Sequence, residues 1–248
     1  MTEEVALIVG GGPGISASCA RLFASEGMKV AVAARNIDKE VLKSLAKDHG
    51  ITLIACDASD PESVAALYDT VIDLLGAPTL VVHNIDGRPK DVFRKSITDV
   101  KPGPFLDTLK NSTYSAFLVG QRAAREMLAQ DGRDDHKGTI LFTNASAAMK
   151  GYPLSGAFAA ASQGKSGLAQ SMARELMPQG IHVAHVPIDA AIGWEQPDGS
   201  RAHWIAGETK NDNMAHPDRI AEVYLQLHRQ HKSTWAYEIV LRPWQEKW

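Results

Sequence analysis

Val5-Ala6-Leu7-Ile8-Val9-Gly10-Gly11-Gly12-Pro13-Gly14-Ile15-Ser16 is the stretch that decides the fold. Its first five residues are apolar and bounded by glycine, the pattern of a fully buried strand. From Ser18 to Glu26 the spacing turns helical, with Ala20, Leu22, Phe23 and Ala24 available to a core face, and Gly27 stops the segment. Strand, glycine turn and helix in that order make a site for a nucleotide's phosphates. Glycine lets the backbone turn tightly and approach a pyrophosphate, while the helix N-terminus offers unpaired N–H groups and a positive dipole end. An ordinary strand-to-helix turn would not need this density of glycine.

Working outward, 248 residues suffice for one α/β domain with a sizeable core. A net charge of −3 argues against nucleic acid as the main partner. No apolar run is long enough to span a bilayer, so no membrane association is expected. Met1-Thr2-Glu3-Glu4 is acidic and leads straight into a strand, without the pattern of a signal peptide. Cys19 and Cys56 are too few and too scattered for a disulfide framework or a zinc site. A cytoplasmic protein without a metal is the expectation.

Strands and helices then alternate. Strands are expected over 29–34, 51–56, 79–83, 138–143, 181–186 and, last and short, Glu238-Ile239-Val240-Leu241. Asp60-Pro61-Glu62 is a strong helix start, and further helices are expected over 38–49, 105–130, 154–177 and 217–230. The alternation predicts a single Rossmann-type domain over residues 1–248: a doubly wound parallel sheet of about seven strands with helices on both faces. In such folds the end of the second strand reaches the adenosine ribose, where an acid would favour NAD and repel a 2′-phosphate. Here Ala34 stands at the acidic position and Arg35 follows, so NADP(H) is favoured over NAD(H). Asp57, at the end of the third strand, either accepts from the adenine amino group or caps the next helix.

These residues resemble the short-chain dehydrogenase/reductase family over nearly the whole chain. The turn is similar to the family's TGxxxGIG, with Val9 for Thr and Ser16 for the last Gly; Asn84-Ile85-Asp86 stands for its Asn-Ala-Gly. Gly167-Leu168-Ala169-Gln170-Ser171-Met172-Ala173-Arg174-Glu175-Leu176 is similar to the segment after its YxxxK motif. The resemblance implies a cofactor site of Gly10, Gly12, Pro13, Gly14, Ile15, Ser16, Arg35, Asn36, Asp57, Ala58 and Asn84, and a catalytic serine at Ser146. It also implies Asn111 as the anchor of a proton relay. The implied substrate is a small carbonyl compound or alcohol, and the implied assembly a homodimer or homotetramer.

The same register puts Phe158 at the family's tyrosine and Ser162 at its lysine. Phenylalanine has no proton to give and serine carries no charge, a loss of general acid–base help worth about 10²–10⁴ in rate. Phenylalanine at that position is also a resemblance to a divergent bacterial subgroup, whose tail is similar to residues 235–244. Asp86 and Asp189 stand where the family has glycine, and Ile192-Gly193-Trp194 where it commonly has a threonine. Candidate replacements for the tyrosine are Tyr152, Tyr114 and a His83–Asp86 pair, each with packing or capping as its ordinary alternative. Lys165, three residues after Ser162 and on nearly the same helix face, could stand in electrostatically, but its extra turn of displacement favours a solvent or subunit contact. Residues 191–213, with Trp194, His203 and Trp204, are the expected substrate lid. Two readings follow: an NADP(H)-dependent oxidoreductase with an altered proton donor, water or Tyr152, or a catalytically silent nucleotide-binding protein acting as redox sensor or structural subunit.

Overall fold

Val5–Val9 forms β1, and both of its faces are apolar. Val5, Leu7 and Val9 point into one hydrophobic cluster, while Ala6 and Ile8 point into another. A strand whose alternate residues all seek an apolar environment belongs inside a sheet covered on both sides.

The computed structural model describes residues 3–130, 136–196, 198–203 and 206–247. The strands beyond β1 are β2 Lys29–Ala34, β3 Thr52–Ala55, β4 Leu80–His83, β5 Gly138–Ala145 and β6 Ile181–Ile188. All pair in parallel, in the order β3-β2-β1-β4-β5-β6. The helices are α1 Ile15–Ser25, α2 Glu40–His49, α3 Pro61–Leu75, α4 Pro102–Leu109, α5 Ser115–Leu128, α6 Gly156–Leu176 and α7 Pro217–His228. Apolar residues of α1, α2 and α7 cover one face of the sheet, and those of α3, α5 and α6 cover the other. Asp60 caps α3, its carboxylate accepting from the Glu62 and Ser63 amides, with Pro61 at the first helical position. Strand order reverses between β1 and β4, the switch point at whose carboxyl ends such sheets bind ligands.

The expected seventh strand is not formed. Residues 237–241 run beside β6, but only as isolated bridges from His185 to Glu238 and from Ile188 to Leu241. Pro187 explains the interruption: it has no N–H to give to the tail, although its carbonyl accepts from Leu241 N at 3.0 Å. The sheet therefore has six strands.

Between α4 and α5 the helix widens into a π-turn, Lys110–Tyr114, which contains Asn111. Within 191–213, β7 Trp194–Glu195, β8 Arg201–His203 and β9 Gly207–Glu208 pair as an antiparallel ribbon. Trp204 lies outside the described residues. Cys19 and Cys56 are buried and free. Among the described residues no helix is long and apolar enough to cross a membrane.

Candidate active site

The turn after β1 is built around a backbone that only glycine adopts without strain. Gly10 has φ +112°, and a Cβ there would lie 2.2 Å from the Asn84 carbonyl oxygen. Ser16 braces the same turn: its Oγ donates to Gly10 O at 2.7 Å and accepts from Asn84 Nδ2 at 2.7 Å. Serine in place of the motif's last glycine thus links the turn to Asn84, the residue after β4. A Cβ on Gly12 would meet no heavy atom within 4 Å, so open space lies over the turn. The N-terminus of α1 has no side-chain cap and no acid in its first turn, which leaves its N–H groups and dipole to an anion. These features fit the pyrophosphate of a dinucleotide.

A cleft of about 540 Å³ runs from this turn across the ends of β2 and β3. Gly10, Arg35, Asn36, Asp57, Ala58, Asn84 and Asn111 line it, so the structure brings together six of the eleven expected cofactor residues, with Asn111 beside them. Gly12 and Gly14 are half-buried beside it, Pro13 is exposed, and Ile15 lines the neighbouring cavity instead. Lys39, not anticipated, also lines the cleft and donates from Nζ to Gly11 O at 2.8 Å. The Asp57 carboxyl is held below its usual range, chiefly by the Ser59 amide and hydroxyl and also by Arg35. No acid stands at the end of β2, where Ala34 is followed by Arg35.

The cleft continues past Asn84, Ile85, Asp86 and Arg88 into a second cavity of about 260 Å³; these four residues line both. Its remaining wall is largely apolar, with Phe158, Ile188, Ala190, Ile192 and Trp194, and the ribbon contributes His203. Trp194 meets the His203 ring edge-on at 5.9 Å. Phe158 takes the expected place of the proton donor, and the Arg88 guanidinium lies over its ring, 3.8 Å from the centroid. Arg88 is itself held by Asp86 in a two-pronged pair of 2.6 and 2.7 Å.

Several candidates do not meet in this cavity. Tyr152 is 42% exposed on a stretch, 151–154, that bulges into solvent, and it does not line the cavity. Tyr114 also faces outward and stacks on Phe117 at 6.2 Å. His83 and Asp86 form no pair. His83 is fully buried with Nε2 2.9 Å from Ser115 Oγ, and burial, reinforced by the Lys165 charge, holds its pKa well below the usual value. Ser146 stands half-buried beside Ala145, which does line the cavity. Asn111 donates from Nδ2 to Gly87 O at 3.4 Å, and its own carbonyl accepts from Ser115 Oγ at 2.6 Å. Ser162 is wholly buried, its Oγ without a hydrogen-bond partner and its carbonyl accepting from Asn144 Nδ2 at 2.9 Å.

Lys165 corrects the sequence expectation most sharply. It is 2% exposed, lines the cavity, and donates from Nζ to Ile85 O at 3.0 Å and to Thr143 O at 3.3 Å. The reason is helical geometry. Lys165 follows Phe158 by two turns on nearly the same face of α6, and helical side chains lean toward the N-terminus, here toward the strand ends. Its four-carbon stem spans the extra turn. Burial lowers the Lys165 pKa to about 8, against which the Asp86 charge works. Beneath it, Asn144 Nδ2 also donates to His185 Nε2 at 2.9 Å, and His185 Nδ1 donates to Glu238 Oε2 at 2.8 Å. Arg88 sits in a loop without periodicity; the charges of Asp86 and Arg88 around Gly87 were the only signal of it.

A model of the family described as enoyl-(acyl carrier protein) reductase matches residues 10–239. The chain is 34% identical over 186 residues to tropinone reductase-like 2 of Erythroxylum coca, covering 73% of this chain and 64% of that protein. It is 30% identical over 209 residues to a mitochondrial borneol dehydrogenase of Lavandula x intermedia, covering 82% and 74% respectively. The match to a short chain aldehyde dehydrogenase of Euphorbia lathyris spans 61% of that relative's length, so the chain covers under two thirds of some relatives. A crystal structure of a short-chain dehydrogenase from Rhodopseudomonas palustris superposes with a TM-score of 0.77 at 29% identity, covering 97% of this chain and 99% of that one. With the family model spanning almost all of the sheet and both cavities, the chain belongs to the short-chain dehydrogenase/reductase family.

Proposed function

We propose that this protein binds NADP(H) and interconverts a small carbonyl compound and its alcohol, with the substrate held in the cavity beneath residues 191–213. The observation that carries the reading is the continuity of the two cavities along Asn84, Ile85, Asp86 and Arg88. Arg35 and Lys39 give the adenosine end two cations for a 2′-phosphate, with no carboxylate at the end of β2 to oppose it. A bound nicotinamide supplies or takes up the hydride. The chain's own part is to orient the substrate and exclude water with Phe158, Ile188, Ile192 and Trp194, and to move a proton from a group other than residue 158. A homodimer or homotetramer through α4, α5 and α6 belongs to the same reading, supported by the exposed side chains of Leu106, Tyr114 and Phe117.

Fluorescence titration with NADPH and with NADH tests this. Micromolar NADPH binding with NADH at least tenfold weaker supports it; no binding of either overturns it. The second reading, a nucleotide-binding protein without turnover, is favoured by the Arg88 guanidinium covering Phe158 inside the substrate cavity. NADPH binding without reduction of any of a panel of small ketones and aldehydes would select it.

A further inference from the structure

Of the groups lining the small cavity, few are able to hand over a proton and take it back near neutral pH. A guanidinium holds its protons in proteins, and that of Arg88 engages the Asp86 carboxylate on both oxygens. Thr143, Ser112, Asn84 and Asn144 offer neutral hydroxyl and amide groups. Burial, with Arg88 nearby, lowers the His203 pKa, so that imidazole is neutral at pH 7. Lys165 remains. An ammonium has three N–H donors; two are spent on Ile85 O and Thr143 O, and the third has no protein partner among the described residues.

We propose that the Lys165 ammonium is the proton donor to the substrate's carbonyl oxygen, and that its neutral amine takes the proton back when the alcohol is oxidised. The proposal rests on the reductase reading above. In reduction, a C–H bond forms at the carbonyl carbon with the hydride of the reduced nicotinamide dinucleotide, which is thereby oxidised. The C=O π pair moves onto oxygen, an O–H bond forms there, and one Nζ–H bond breaks. The carbonyl has become an alcohol and Lys165 an amine, which regains a proton from water at the cavity mouth.

Geometry suits the task. The amine is fixed by two carbonyl oxygens at the ends of β4 and β5, where this fold places its chemistry. The charged and titratable groups facing it are Asp86 and Arg88 from the loop after β4, His83 from β4 and His185 from β6. Both histidines are depressed by burial and carry no charge at neutral pH. A lysine whose pKa burial has lowered to about 8 is matched to donating near neutrality, unlike one at its ordinary value.

The test combines binding, titration and turnover. NADPH affinity of Lys165→Met should stay within about threefold of wild type, while carbonyl reduction falls by about 10²–10⁴. Lys165→Arg, always protonated, should keep only residual reduction, without the wild type's decline as pH rises through about 8. Independently of turnover, NMR of isotope-labelled lysine Cε should show one side chain titrating near 8, absent from Lys165→Met. Wild-type reduction rates in Lys165→Met, or titration at the ordinary lysine value, would overturn the role of Lys165 alone. Failure of the wild type to bind NADPH, or to reduce any carbonyl tested, would overturn the reductase reading and this role with it.

Discussion

The Arg88 guanidinium carbon stands 3.8 Å from the centre of the Phe158 ring, on the wall of the smaller cavity. The contact joins the loop after β4 to the first turn of α6, and Asp86 grips the guanidinium through Nε and Nη2. Phe158 is therefore one half of a stacked contact. Its face is occupied by a cation that must stay or move when a substrate enters.

A double-mutant cycle of Arg88→Ala and Phe158→Ala, read from urea unfolding, should show a coupling of about 0.5–2 kcal/mol. The ion pair with Asp86 adds little, because Asp86 is 59% exposed and such pairs contribute about 0–1 kcal/mol. Additive single-mutant effects would mean that the guanidinium is held by Asp86 and merely passes over the ring.

Gly10→Ala and Gly12→Ala should separate fold from binding. At Gly10 the new methyl meets Asn84 O at 2.2 Å with φ already at +112°, so the protein should lose about 1–3 kcal/mol of stability. At Gly12 the methyl meets no protein atom within 4 Å. Thermal unfolding should be nearly unchanged there, while NADPH binding weakens at least tenfold as the methyl enters the pyrophosphate's space. Unaltered NADPH affinity in Gly12→Ala would place the phosphates elsewhere.

Arg35→Ala should weaken NADPH binding by about 10–100-fold, the loss of a charged hydrogen bond of about 1.5–3 kcal/mol, and leave NADH binding within twofold. Lys39→Ala should act in the same direction but less, since its Nζ already donates to Gly11 O at 2.8 Å. Equal losses for both dinucleotides would move Arg35 from the 2′-phosphate to the adenine face.

How much of this was legible follows from where each signal lives. The β1 turn and the Asp60-Pro61 cap were readable because residue type and local backbone are coupled within a few positions. The sheet was readable because strands buried on both faces leave unbroken apolar runs. The seventh strand failed at Pro187, on the partner strand and not in the tail, so no inspection of residues 238–241 would have revealed it. Sequence spacing gives Lys165 its helix and the height of its Cα, but not the reach of its side chain. The side chain's lean toward the N-terminus of α6 brings Nζ to Ile85 and Thr143. Arg88, in an aperiodic loop, is paired locally with Asp86 two residues before it, but its place over Phe158 is a tertiary contact that no pattern announces.

Stability should fall as pH drops below about 6.5, the ordinary histidine value, and the decline should continue to about 4. Burial lowers the pKa of His83 well below 6.5, that of His136 to about 4, and that of His185 in the same direction. The sign follows from proton counting. Across that window the unfolded chain binds protons that the folded chain refuses, so stability present above about 6.5 is lost progressively on acidification. His136 is the tractable site, since its ring lies 5.5 Å from those of His228 and Trp235 and its Nε2 lies 3.0 Å from Thr139 Oγ1. His136→Gln keeps a hydrogen-bonding group there without a titration. The gap between its urea midpoints at pH 7.5 and pH 5 should be smaller than in wild type. An equal gap would assign the acid sensitivity to the other histidines that burial depresses, chief among them the fully buried His83, His182 and His185.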